Sequence, residues 1–482
     1  MKTEDVNTQS LRDELGIAHP IIDMDGHVVE LFQATVPYLR EALGPTLFTR
    51  YIEREHSLLY AGRTPAPLSE RVRTRVPQRG WWTQHTRETA ERAIPMFPRM
   101  LYEQMASFGL DYAVLYPTNA LTICSVDEAD VRQGLCRGYN DYFAAVYGPF
   151  GDRMTAAGVV PMHDPAEAIS ELEHCKAIGL KTVALPEGVL RAIDEPRQQT
   201  ARWMYPNQTH WFDVFGLDSI HDYDPVWQRA ADLGLAVTFH GGLSPRPGVC
   251  TSISNFSFNH VGMFMQSMYP LCKALFMGGV TTRFPTMRFA FLECGVSWAV
   301  PLLADMTEHW EKRRPSTMGD FDPAALNFEE LVAYAERYGG DLSPGSDVSI
   351  REALLDTPIF SEPPEDRDDW LQVDASSRQE LAERFAHSFY FGCEADDRTV
   401  ALASGRLNGL GVDLNATLGS DIGHWDVAHA AHVVPEAWEL VTSGVMTEDE
   451  FRNFTYDNAR RFLTASAPDF FEGTALAIRP RT

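Results

Sequence analysis

The 482-residue chain is 44% hydrophobic and can bury a large core, while 41 basic against 67 acidic residues leave a net charge of −26. Such a charge repels phosphate backbones and anionic lipid, which excludes nucleic acid and membrane surfaces as expected partners and leaves a small-molecule substrate. Seven cysteines scattered without a CxxC pair, and a polar opening stretch 1–16 with no apolar run, are expected of a protein of the reducing cytoplasm without a signal peptide.

The first predicted element is a buried strand over 21–27, Ile-Ile-Asp-Met-Asp-Gly-His. Side chains alternate along a strand, which puts Asp23, Asp25 and His27 on one face. Burying three such groups is costly unless something neutralises them, and a divalent cation does so. The alternative keeps Asp23 and Asp25 as caps of the following turn and His27 as a satisfied core histidine. An excursion over 31–105 follows, whose basic-aromatic piece 71–87, with Trp81 and Trp82, reads as a lid or an oligomer contact. Strands are predicted next at 111–116 and 158–163; after the latter, Asp164 and Pro165 supply an N-cap and first-turn proline for a helix that Gly179 ends. The strand 181–186 begins at once.

Residues 187–223, with Trp203, Tyr205, Trp211, Phe212 and Phe215, make a second excursion. Asp224-Pro225 then opens a helix, Gly234 ends it, and a strand over 235–240 runs to His240. The apolar stretch 261–280 is interrupted by Gln266, Pro270 and Lys273, which points to packing or a pocket wall rather than a bilayer helix. A strand over 288–293 ends on Glu293; its neighbour Cys294 reads as a small buried filler rather than a reactive thiol. A third excursion, 311–383, is rich in charge, Pro and Gly and precedes two last strands, 388–392 and 417–421.

Eight strands separated by helical stretches point to parallel βα units closed into an α/β (β/α)8 TIM barrel, one domain over 1–482. The excursions 31–105, 187–223 and 311–383 are then long loop insertions, two of them over the mouth. His240, Glu293 and Asp421 each end an apolar strand, and barrel enzymes assemble their sites at C-terminal strand ends. A doubly wound open sheet gathers ligands at a switch crevice and leaves functional residues on strands one, five, six and eight unexplained.

The segments Asp23-x-Asp25-x-His27, Phe239-His240-Gly-Gly, Phe291-Leu-Glu293-x-Gly-Val-Ser-Trp298, Gly419-Ser-Asp421-x-x-His424-Trp-Asp426 and Asn458-Ala-Arg460 together resemble the amidohydrolase-related family of the amidohydrolase superfamily. This branch includes aminocarboxymuconate semialdehyde and hydroxybenzoate-type decarboxylases. The resemblance runs from residue 20 to about residue 465, with the insertions unmatched. It implies Asp25 and His27 as first-strand metal ligands, His240 as the fifth-strand ligand, and Asp421 as a ligand and proton carrier. Glu293 departs from the smaller decarboxylases, which place a histidine near there. Lys181, on the fourth strand, is not assigned as a ligand. The resemblance also carries the expectation of a homodimer.

Mixed imidazole and carboxylate donors suit zinc, manganese or iron, and an open coordination position lets such an ion polarise a substrate oxygen or acidify water. Asp421, His424 and Glu293 are the expected catalytic groups: His424 as acid, base or substrate anchor, with a loop histidine bonded to Asp426 as the alternative, and Glu293 as base, second-ion ligand or orienter of His240. His163 and His260 are reserve ligands. The expected reaction is nonoxidative decarboxylation or hydrolysis of a bulky carboxylated or acyl substrate, with Asp421 moving a proton. A nonheme oxygenase with a binuclear iron centre, hydroxylating a bulky polycyclic acyl substrate, is the rival, and a noncatalytic scaffold ranks last.

Overall fold

Alternation on the strands divides their side chains between two apolar layers. In the computed structural model, which describes residues 10–55, 66–78, 87–193, 210–241, 251–314, 316–322, 325–340, 348–355 and 367–477, the strands are β1 (Ile22–Val28), β2 (Tyr112–Pro117), β3 (Met154–Val159), β4 (Thr182–Leu185), β5 (Val189–Ala192), β6 (His210–Asp213), β7 (Ala236–Phe239), β8 (Phe289–Phe291), β9 (Phe389–Cys393) and β10 (Asn415–Leu418). Eight of them pair in the order β1-β2-β3-β4-β7-β8-β9-β10, every ladder parallel. The turn after β10 joins the ring to β1: Asp421 N donates to Asp25 O at 2.8 Å and His27 N donates to Ile422 O at 2.9 Å. The fold is a (β/α)8 TIM barrel.

Val183, Val237, Phe239, Phe289, Phe291, Phe389 and Phe391 pack outward in the large core beneath the helices. Ile22, Met24, Tyr112, Val114, Ala157, Ala184, Ala236 and Ala290 belong to a second cluster that fills the interior, together with Phe462, Leu463, Phe470 and Phe471. Small residues on β3, β4, β7 and β8 leave room for those C-terminal aromatics, which plug the floor. Asn458, opening the helix Asn458–Ser466, donates to Ala416 O at 2.8 Å and ties the plug to β10. The closing Asn-Ala-Arg segment is thus a floor element, not part of the mouth.

Local signals act as their chemistry requires. Asp164 caps the helix Pro165–Ala177 by accepting from Ala166 N and Glu167 N, and Glu167 completes a capping box. Gly179 ends that turn at φ 89°. The third strand begins at Met154, earlier than the sequence pattern indicates, because Met-Thr-Ala-Ala has a single β-branched residue and becomes a strand through pairing with β2 and β4. Lys181 lies just before β4, at the floor, where its Nζ donates to Phe470 O at 2.7 Å.

Within 31–105, the helix Phe32–Arg50 packs on the helix Ala129–Tyr147. A Cβ on Gly138 would meet Leu39 Cα at 3.0 Å, so glycine sets that close approach. Within 187–223, β5 and β6 form an antiparallel hairpin, and Arg191 pairs with Asp213 at 2.6 Å. Within 311–383, the helices Phe328–Tyr338 and Ile350–Leu355 bury none of their residues. Trp81, Trp82, Trp203 and Tyr205 lie outside the described residues.

Candidate metal centre

β1 cannot present Asp23, Asp25 and His27 on one face, because its register against β2 shifts between Asp23 and Gly26. Ile22 and Met24 fill the barrel interior, so unbroken alternation would carry Asp25 outward with Asp23. The extra residue returns Asp25 to the mouth. Asp23 stays behind as a latch: its carboxylate accepts from Ser420 N at 2.8 Å, Ser420 Oγ at 2.6 Å and Asp25 N at 3.1 Å. One buried side chain thereby fixes the backbone next to Asp25 and next to Asp421.

The other donors lie just past the strand ends. His240 follows β7 directly, whereas Glu293 and Asp421 sit further beyond β8 and β10 at φ 53° and 51°. A left-handed backbone is unfavourable for a side chain with a Cβ and costs roughly 1–3 kcal/mol. Here it turns both carboxylates back over the barrel axis.

All six residues expected at the site meet there. The Nε2 atoms of His240 and His27 are 3.1 Å apart. Asp25 Oδ1 lies 3.4 Å from His240 Nε2 and 3.5 Å from His27 Nε2. Asp421 Oδ1 is 3.4 Å from His27 Nε2, and Glu293 Oε2 is 3.5 Å from His240 Nε2. His424 stacks on His27 with ring centroids 3.6 Å apart, and its Nδ1 is 2.5 Å from Asp421 Oδ1. Potential ligand atoms of Asp25, His27 and His240 lie within 4.8 Å of one another, as do those of His27, Glu293, Asp421 and His424. His240 Nδ1 lies 3.1 Å from Gly241 O; donation there leaves the Nε2 lone pair facing the cluster.

The donor set tests as a cation site. Both carboxylate oxygens of Glu293 are buried without a hydrogen-bond partner among the described residues, and Asp25 Oδ1 and Asp421 Oδ1 face imidazole nitrogens 2.5 to 3.5 Å away. Buried acceptors left so are costly, and several aimed at one point are the chemistry of a divalent ion. Burial, then the neighbouring Glu293 charge, pushes the Asp421 carboxyl well above its usual range. Burial, then Asp25, does the same to Glu293. Burial also works to raise Asp25, but the charge of His240 and bonds from His240 and His27 prevail and hold it at about 2. Burial followed by His27 pushes His424 well down, favouring its neutral form.

Several neighbours carried no motif of their own. Glu394, next after β9, is pushed up to about 7 by burial and then Asp426. Thr118 Oγ1 reaches His424 Nε2 at 3.2 Å. Trp425 makes edge contacts with Phe256 and His260 at 5.2 and 5.3 Å, walling the mouth with rings. The position directly after a strand end was the available signal for both, Glu394 after β9 and Thr118 after β2. His260 sits at this rim, 3.9 Å from Asp426. His163 stays apart, 3.7 Å from Glu167 Oε1, and joins neither donor group. Burial pushes the Cys294 thiol up, away from a reactive thiolate.

The space among the carboxylates, lined by Asp25, Glu293, Glu394 and Asp421 among others, is too tight to admit a water-sized sphere. A larger cavity of about 550 Å³ opens at the opposite end of the barrel, beside Tyr390, Asn415 and Asn458. Size alone therefore does not mark the site; the convergence of buried donors does.

The sequence model of the family described as Amidohydrolase matches residues 22–342, more than half of the chain. The chain belongs to the amidohydrolase family. This amidohydrolase-family chain is similar to the crystal structure of an amidohydrolase from Mycobacterium avium subsp. paratuberculosis, at 16% identity and a TM-score of 0.52, with 93% of this chain and 100% of that one covered. The likeness is one of fold. It is also similar to a dihydroxybenzoic acid decarboxylase from Polaromonas sp. JS666, with bound manganese and the inhibitor 2-nitroresorcinol, at 14% identity, a TM-score of 0.48, and 94% and 99% coverage of the two chains. A 5-carboxyvanillate decarboxylase from Novosphingobium aromaticivorans, with bound manganese, gives 11% identity, a TM-score of 0.45, and 95% and 100% coverage. No curated protein sequence matches the chain. Among the described residues no helix is long and apolar enough to cross a membrane.

Proposed function

We propose that the chain is a metal-dependent enzyme that breaks a carbon–carbon or acyl bond without oxygen, by decarboxylation or hydrolysis of a bulky carboxylated or acyl substrate. The observation that carries this reading is the gathering of buried carboxylate oxygens of Asp25, Glu293 and Asp421 around two facing imidazoles, with both Glu293 oxygens unpaired among the described residues. Asp25, His27, His240 and Asp421 would hold one divalent ion, zinc, manganese or iron, with Glu293 within reach of it. Such an ion supplies Lewis acidity toward a substrate carboxylate or carbonyl oxygen.

The remaining work falls to the side chains. Asp421 and Glu293, whose carboxyls burial pushes above their usual range, both face His424 and can take or give a proton there. His424, neutral and 2.5 Å from Asp421, passes or receives that proton. Trp425, Phe256 and Phe264 offer ring faces to a bulky apolar body, and the floor aromatics keep water from entering below.

The test is protein purified without added metal, assayed for metal content and for turnover of a panel of carboxylated and acyl compounds under nitrogen. We expect about one divalent ion per chain, lost in Asp25→Ala and His27→Ala, and carbon dioxide release or hydrolysis that persists without oxygen. Full activity in ion-free protein, or turnover that consumes oxygen and stops under nitrogen, would overturn the reading.

A further inference from the structure

β1 carries more of the site than its own donors. Beyond His27 and Val28, the strand runs into Glu30, a carboxylate only 6% exposed. Among the described residues no cationic side chain pairs with Glu30; it is saturated by the loop after β2 instead. Its Oε2 accepts from Asn119 N at 2.9 Å and Asn119 Nδ2 at 3.0 Å, and its Oε1 accepts from Ala120 N at 2.9 Å. The Asn119 amide also reaches Glu30 O at 3.3 Å, and Thr118 N donates to Val28 O at 3.0 Å. Residues 118–120 are thus held to β1 on both sides of the Thr118 side chain. That side chain makes the 3.2 Å contact with His424 Nε2.

We propose that Glu30 is a positioning residue of the metal centre, acting through the Thr118–Asn119–Ala120 loop to set the orientation and tautomer of His424 against Asp421. The inference rests on the proposed function for the meaning of His424 and deepens it. Thr118 meets Nε2 while Asp421 meets Nδ1, so a Thr118 hydroxyl placed to donate to Nε2 leaves the ring proton on Nδ1, facing Asp421. Stacking on His27 fixes the ring plane, and Thr118 fixes the rotation within it. A glutamine at position 30 offers one acceptor oxygen where two serve, and its amide would face a backbone N–H, so the loop must shift.

A double-mutant cycle separates this from plain stabilisation. Glu30→Gln and Thr118→Val are each expected to lower kcat by about 10- to 100-fold with KM and metal content little changed. In a His424→Asn background neither adds a further loss. An unchanged kcat in Glu30→Gln, or a full additional loss in the His424→Asn background, would overturn the inference. If Glu30→Gln does not fold, Asn119→Ala, which removes the side-chain bonds to Glu30 and leaves the backbone ones, is read by the same criterion: no loss of kcat, or a full additional loss in the His424→Asn background, overturns the inference. Loading with cobalt(II) alone reads the site without turnover: Glu30→Gln, Thr118→Val and His424→Asn should share one altered visible spectrum, and a parental spectrum in the first two would overturn it. Absence of turnover in the parent enzyme with every metal counts against the proposed function, while the cobalt spectra still decide the role of Glu30.

Discussion

Asp23 and Asp25 are chemically identical and two positions apart, yet one is a latch and the other a donor. The sequence pattern shows both carboxylates and their strand; it does not show the bulge that separates them, because a bulge is fixed by pairing with β2 and by the approach of Ser420. Asp23→Ala should therefore destabilise by roughly 1–3 kcal/mol for each donor orphaned at Ser420 and Asp25. Asp23→Asn should remain close to the parent, since its oxygen still accepts from both amides and its NH2 can donate to the serine oxygen. Urea unfolding of the two variants checks this, and equal stability of Asp23→Ala and the parent would refute the latch. Glu293, Asp421 and His240 were legible individually because each ends a run of apolar residues that had to be a strand, and His27 because an imidazole and two carboxylates share one short buried strand. Thr118 and Glu394 also stand directly after strand ends, but that place alone does not distinguish a threonine or glutamate that faces a site from one that faces water.

Elements were legible where one pattern dominated. Proline after a capping aspartate and glycine at a helix end marked the helix Pro165–Ala177, whereas the alanine-rich start of β3 carried no strand signature and depended on its neighbours. The excursions hid their internal order because hairpins and short helices there lack a long period. A titratable contact ties the chain's two ends together: His19 Nε2 lies 2.8 Å from Thr455 Oγ1 and its ring meets Phe451 edge-on at 5.7 Å. Burial, then the Arg452 charge, lowers the His19 pKa to about 4. The folded value lies below the unfolded value of about 6.5, so the unfolded chain takes up the proton first. His19 thus contributes stability that is complete above pH 6.5 and declines as pH falls toward 4. Melting temperature measured from pH 7.5 to 4.5 should fall less steeply in His19→Gln than in the parent, and parallel curves would refute the assignment.

At the scale of the molecule, the (β/α)8 topology was legible from the count and spacing of strands, because parallel pairing with helical crossovers leaves few ways to bury eight apolar runs. The plug of the floor was not, since it depends on alanines on four strands being matched by aromatics near the C-terminus. Phe462, fully buried and 5.2 Å from the Tyr390 ring, tests that match. Phe462→Ala should cost about 3–5 kcal/mol in chemical denaturation while the folded protein keeps its metal content, because plug and mouth lie at opposite ends. Loss of metal with unchanged stability would reverse the roles assigned to the two ends. The joining of β10 to β1 through Asp23 and Ser420 has a bearing on biogenesis. The first ligands leave the ribosome nearly four hundred residues before Asp421, and no contiguous fragment of the polypeptide brings the set together. If the proposed site holds an ion, capture must therefore wait until the ribosome has passed Asp421, so chains terminated before that residue should emerge empty and loading should serve as a record that the ring has closed.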